Sequence, residues 1–236
     1  MESVTKIMSE LAALGNEGTK KVLMKHGARE PFFGVRIGDM KPIQKRIKKN
    51  YELALALYDT GNSDAQYLAG LIADEKKMTK ADLQHWVESA DWYMQSEYTV
   101  AWVAAESAFG YELALEWIES DNAQIATSGW ATLSSLVGIK QDSELDIKTL
   151  SALLERVKTS IHEQPNRVRY VMNSFVISTG SAVTALTDQA KAVAKAIGKV
   201  YVDMEGTACK VPLAIEYIEK VEQKGYLGKK RKEARC

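Results

Sequence analysis

The sequence predicts an all-α fold, an α-solenoid of stacked helical hairpins, with one small β-hairpin near the C-terminus. Three observations predict it. Apolar residues recur at helical spacing almost throughout, and only four prolines interrupt 236 residues. A block Tyr51-Glu52-Leu53-Ala54-Leu55 returns as Tyr111-Glu112-Leu113-Ala114-Leu115, and Thr60-Gly61-Asn62 is echoed in the same register by Ser120-Asp121-Asn122. Helix pairs that repeat at a fixed offset mark arrays in which each unit buries its apolar face against the next. From Val200 to Val211 the period changes to partial alternation around Glu205-Gly206, the pattern of two short strands and a turn.

The elements follow in order. Val4, Ile7, Met8, Leu11 and Leu14 form a helical stripe that stops at Gly15. A second short helix spans Asn16 to His26, with Val22 and Leu23 turned inward. Glycines and Pro31 break helix between Gly27 and Gly38, while Phe32 and Phe33 argue that this connection is packed down. Asp39 is the expected cap of the next helix, with Pro42 tolerated in its first turn. Asn62 and Asn122 each open a helix after a short one. Between the two copies lie a helix from Thr79 to Ser89 and another from Asp91 to Phe109. Helices Asn122–Val137, Glu144–Ile161, Pro165–Ser178 and Ser181–Lys199 continue the array, and Pro212 starts one that runs to about Gln223. Two helix pairs per copy make each pair somewhat shorter than the about 40–47 residues of a regular HEAT unit. The whole chain, 1–236, reads as a single repeat domain, with a hairpin at about 199–211 and a basic, fraying tail at 225–236.

Composition removes several classes. A hydrophobic content of 46% excludes a disordered chain. No apolar run is long enough to span a bilayer, and Met1–Lys6 lacks the blocks of a signal peptide. Cys209 and Cys236 are too few for a disulfide scaffold or a thiolate zinc site, and Cys209 reads as a packed thiol. His26, His85 and His162 lack metal-ligand spacing. No phosphate-cradling glycine loop and no nucleophile elbow is present. A cytoplasmic monomer without cofactor or metal is the expectation.

Charge is balanced, with 31 Lys plus Arg against 31 Asp plus Glu, but it is segregated. Arg36, Lys41, Lys45, Arg46, Lys48 and Lys49 face one acid, Asp39. The tail carries Lys229, Lys230, Arg231, Lys232 and Arg235 against Glu233. Acids gather between Asp59 and Asp91. A neutral molecule built this way can present one positive face.

Asp91-Trp92-Tyr93 through Glu97 to Trp102 is the densest aromatic stretch. One helical turn separates Tyr93 from Glu97, so a ring and a carboxylate can share a face and stabilise a passing positive charge. The plainer alternative is that Trp92, Tyr93 and Trp102 are core residues and Glu97 is solvated.

Phe33-Gly34-Val35-Arg36 with the basic helix after it, Asp91 to Glu97, and the run of helical pairs resemble the AlkD-type DNA alkylation repair proteins, which are built from HEAT-like repeats. Val168-Arg169-Tyr170-Val171-Met172-Asn173 and the segments Gly198–Val200 and Lys210–Pro212 look like the AlkF/AlkG-like branch, which carries an extra hairpin. The resemblance implies a solenoid that cradles duplex DNA in a concave basic groove. Active members are glycosylases that release positively charged N3- and N7-alkylated purines; the AlkF and AlkG relatives lack that activity and bind branched DNA. Carried over by residue, the catalytic positions fall on Trp92 or Tyr93 and on Glu97, where the family has an aspartate. The groove arginine expected after Asn122 is missing, since Ala126, Thr127 and Ser128 stand there, and a later tryptophan falls near Ser174 or Phe175. Candidate DNA contacts are Arg36, Lys41, Lys45, Arg46, Lys48, Lys49, Arg167, Arg169, Lys199 and Lys210. A DNA-binding repeat protein for duplex or branched DNA, with weak or no glycosylase activity, ranks first. An alkylpurine DNA glycosylase ranks second, and a protein-binding scaffold third.

Overall fold

The structure, a computed structural model, describes residues 2–235. Among these there are thirteen α-helices and no strand. They are α1 (Val4–Leu14), α2 (Glu17–Lys25), α3 (Ile37–Ile47), α4 (Tyr51–Tyr58), α5 (Ser63–Ile72), α6 (Lys80–Ser89), α7 (Ala101–Glu106), α8 (Gly110–Trp117), α9 (Ala123–Ile139), α10 (Ile147–Ser160), α11 (Asn166–Ala182), α12 (Thr187–Ile197) and α13 (Ala214–Gln223). A π-helical stretch, Gln95–Val100, leads directly into α7. Among the described residues, no helix is long and apolar enough to cross a membrane.

The helices form two layers. In one, α3, α5, the π stretch with α7, α9, α11 and α13 each pack on the next. In the other, α4, α6, α8, α10 and α12 lie outside that row, each against a member of it. The sequence repeat is a structural one. Asn62 and Asn122 cap α5 and α9 through their side-chain oxygens. Tyr51 donates its hydroxyl to Asp82 at 2.8 Å, and its counterpart Tyr111 donates to Asp146 at 3.3 Å. Each repeat therefore ties its first helix to the start of a helix in the next unit. Tyr58 stacks on Trp86 at 4.2 Å and donates to its carbonyl, filling the space between α4 and α6. Gly70 lets α5 approach the π stretch, since a Cβ there would meet Thr99 at 2.8 Å.

Several expected boundaries move. Asp39 lies inside the first turn of α3, and Arg36 holds the cap position without a side-chain bond. Val22 is exposed, because α2 buries no residue fully. Asp91 does not cap the aromatic helix. Gln95 instead accepts from the backbone N–H groups of Asp91 and Trp92, at 3.2 and 2.8 Å. That helix ends at Ser107, and Gly110 already belongs to α8.

The expected β-hairpin at Val200–Val211 does not exist. Its turn forms: Glu205 and Gly206 both take positive φ, 55° and 72°, and Thr207 donates to the Met204 carbonyl. No ladder follows, because side chains take the backbone's bonding groups. Asn166 donates to the carbonyl of Asp203 at 2.8 Å and accepts from its N–H at 2.7 Å, as a neighbouring strand would. Asn173 donates to the carbonyl of Pro212. A two-stranded hairpin is marginal in water, and α11 supplies the alternative. Cys209 in this loop is exposed rather than packed; Cys236 lies outside the described residues.

Among the described residues, the tail is bonded down to Arg235 rather than fraying. Residues 228–235 run as a strap across the C-terminal ends of α11, α9, α7 and α5. Gly228 donates to the Ser181 carbonyl, and Arg231 to that of Gly138. Lys230 donates to Val137, and Arg235 to Leu71 and Ala73. Helix C-termini leave carbonyls unsatisfied and carry partial negative charge, so a basic strap fits there.

Candidate functional site

The aromatic stretch and the start of α11 meet in one place. Glu97 is buried on the π stretch and pairs with Arg167, whose Nε and Nη2 lie 2.7 and 2.5 Å from Oε1. The guanidinium carbon of Arg167 stands 4.3 Å from the ring centre of Tyr93 and 4.5 Å from that of Tyr170. The arrangement is a cage: two ring faces and one carboxylate around one cation. A cavity of about 120 Å³ adjoins it, lined by Tyr93, Tyr98, Arg167 and Tyr170 and by Asp203 to Glu205 of the loop.

Burial dominates the electrostatics. It pushes the Glu97 carboxyl up to about 7, and the nearby Arg167 offsets only part of that. Burial also raises the phenol of Tyr93, to about 12, against the pull of Arg167. The π stretch itself is a local departure from helical period, a feature frequent at functional sites. It is stitched in by polar side chains: Gln95 also bonds Gln66, and Ser96 donates to Gln124 at 2.9 Å.

Of the two aromatic candidates, Tyr93 joins the cage and Trp92 does not. Trp92 is buried with Ala28 and Phe32 and donates its indole N–H to the carbonyl of His26 at 2.7 Å. It holds the connection before α3 in place. That connection is fixed again by Asp64, which accepts from the N–H groups of Phe33, Gly34 and Val35 at 2.6–3.1 Å. Gly34 needs its positive φ for this turn, and a Cβ would strike Asn16 and Lys20. Ala126, Thr127 and Ser128 are buried inside α9. Phe175 is buried against Trp130, whereas Ser174 lines a cleft on α11.

The candidate cations part into groups. Arg36, Lys45 and Lys48 are exposed. Lys41, Lys45, Lys48 and Lys49 line one cleft of about 500 Å³ that reaches Arg235. Arg46 is drawn to Glu2 and Glu10, and Lys49 to Glu75. Arg167 is committed to the cage, and Arg169 reaches Asn166 at 3.4 Å. Lys199 lies over Tyr201, and Lys210 is exposed on the loop. Tyr98 of the aromatic stretch, Tyr170 of the 168–173 segment and Arg231 of the basic tail also belong to the site's surroundings. Arg167 carries a local sequence signal: a cation in the first turn of a helix opposes the macrodipole unless it has a partner. Among the described residues, no group of three or more His, Cys, Asp or Glu could hold a metal ion.

The model of the DNA alkylation repair enzyme family matches residues 7–218. The chain belongs to the DNA alkylation repair family. Two relatives, uncharacterised proteins of Listeria monocytogenes and Listeria innocua, are each 35% identical over 221 residues, covering 92% of this chain and 96% of theirs. A solved structure is similar over 100% of both chains, with a TM-score of 0.92 and 40% identity. It is described as a new family of proteins related to the HEAT-like repeat DNA glycosylases with affinity for branched DNA structures. The two-layered array is thus a HEAT-like repeat fold, and this member of the repair family places Tyr93, Glu97 and Arg167 on it.

Proposed function

We propose that the protein binds DNA at branches or distortions of the duplex, as a monomer of the AlkF/AlkG-like branch, with little or no glycosylase activity. The position of Arg167 carries this reading. Release of a cationic alkylpurine builds positive charge on the sugar, which ring faces and a carboxylate would stabilise. Here those groups already surround the protein's own guanidinium. A second cation would meet a like charge at short range, where the surroundings screen poorly. The adjoining cavity of about 120 Å³ also falls below the roughly 300–1,000 Å³ of ligand pockets. The missing groove arginine points the same way.

Binding itself is supported by the exposed cations of α3 and by the neighbour's affinity for branched DNA. Phosphate contacts would supply the affinity, so it should fall steeply with salt. The test pairs two assays. DNA containing 7-methylguanine, incubated with excess protein, should release no base above buffer, and a four-way junction should shift in a gel at low salt and lose affinity as salt rises. Base release would overturn the non-catalytic reading; a flat salt dependence would overturn the phosphate-driven one.

A further inference from the structure

A second cleft, of about 520 Å³, opens between α9, α11, α13 and the strap. Its lining contains no carboxylate. It is lined by Ser134 of α9, by Ser174, Ser178 and Ser181 of α11, by Tyr217 of α13, and by Lys229 and Arg231 of the strap. The cations are positioned by the backbone of the strap, which is bonded to Ser181 on one side and Gly138 on the other. Tyr217 is 49% exposed, one of a few large hydrophobic residues left so open. Ser134 and Ser174 donate their protons to their own helix, which leaves both oxygens as acceptors. The Ser181 hydroxyl is shut off from solvent without a partner. A smaller cleft, of about 180 Å³, shares Ser134, Tyr170, Ser174, Ser178 and Arg231 with it and reaches Glu97.

We infer that this cleft takes an unpaired nucleotide of bound DNA, with the base stacked on Tyr217 and the phosphate on Lys229 and Arg231. The inference rests on the DNA-binding reading and deepens it. A base inside a duplex has both faces covered by its neighbours, so an exposed ring offers nothing to paired DNA. At a branch, bases are free to leave the stack, and a ring beside two cations is the usual combination for holding single-stranded nucleotides. The volume lies within the range of small-molecule sites. The serine oxygens can accept from base amino groups without selecting one sequence.

The experiment measures fluorescence anisotropy with two three-way junctions, one fully paired and one carrying three unpaired thymidines at the branch. The natural protein should prefer the second. Tyr217→Ala should lose about five- to tenfold on the thymidine junction and change little on the paired one. Tyr217→Phe should keep the preference, and Lys229→Ala should weaken both junctions. Equal affinity of the natural protein for the two junctions, or an unchanged preference in Tyr217→Ala, would overturn the inference while leaving DNA binding intact. Failure to bind either junction would overturn the DNA-binding reading, and this site with it.

Discussion

Arg167 and Arg235 are both drawn into the molecule beside carboxylates, but they are held in different ways. Arg235 is 5% exposed at its side chain and uses all five of its donors. Glu75 and Glu106 take three contacts, and the carbonyls of Leu71 and Ala73 take two. Arg167 is 22% exposed at its side chain and directs Nε and Nη2 to one oxygen of Glu97, with ring faces in place of further acceptors. The partner acids respond with opposite sign. Burial pushes Glu75 up, but Lys49 and Arg235 together hold it below the usual range. Burial pushes Glu97 up too, and there it prevails. A buried cation shared by two acids and two carbonyls fastens the structure. One set against a single acid and two rings leaves that acid near its titration point. The first arrangement is a clasp, the second an occupied site.

Removing the clasp should have the largest effect. Arg235→Ala leaves buried Glu75 and half-buried Glu106 without their shared partner, and losing one member of such a group costs about 3–5 kcal/mol. Urea unfolding should show the loss, and limited proteolysis should cut the released strap. Arg167→Ala should cost less, about 1.5–3 kcal/mol at pH 8, the range for hydrogen bonds to charged groups. It should cost still less at pH 5, where Glu97 can take a proton instead. Equal costs for the two variants at pH 8 would break the distinction between clasp and site.

The cage's own acid gives the next effect. Glu97 binds its proton more tightly in the folded chain than in the unfolded one, because its carboxyl is raised from 4.5 to about 7. Between those values the folded state holds more protons, so this group's contribution to stability falls as pH rises through that window. Below it both states are protonated and the penalty is absent; above it the penalty is complete. Glu97→Gln should flatten that part of the stability profile measured by urea unfolding at stepped pH. A slope unchanged by the substitution would mean that Glu97 is ionised throughout and is compensated as fully as Glu75.

How much of this could be read from the chain depends on sequence distance. The caps at Asn16, Asn62, Thr79 and Asn122 lie within three residues of what they bond, and the repeat at Tyr51 and Tyr111 is visible by eye. The nearness of Tyr93 to Glu97 was equally local. Arg167 enters the cage from 70 residues away, and Arg235 reaches Glu75 across 160. Neither pairing leaves a periodic trace. The failed hairpin has the same origin. Its turn is local and formed, but its ladder lost to Asn166 and Asn173, which only the fold brings alongside. The strap is hidden in the sequence because a basic run resembles a solvated end, and nothing nearby in sequence identifies the helix carbonyls it satisfies.

Lys45 and Lys48 sharpen the comparison from the other side, since among the described residues neither has a carboxylate partner, and both are exposed on or just after α3. Reversing both to Glu should therefore change stability by less than about 0.5 kcal/mol, the ordinary scale for surface substitutions. Affinity for a four-way junction should fall about tenfold at low salt, and the slope of log affinity against log salt should shrink by roughly one to two. The smallness of the first number is what gives the second its meaning. Cations spent on the fold, such as Arg235, cannot be reversed without unfolding it, so any loss of DNA binding there has two explanations. Cations left without a partner offer one. If the double reversal lowered stability as Arg235→Ala does, these lysines would be part of the packing, and the positive face would lose its claim to be a surface kept free for phosphate.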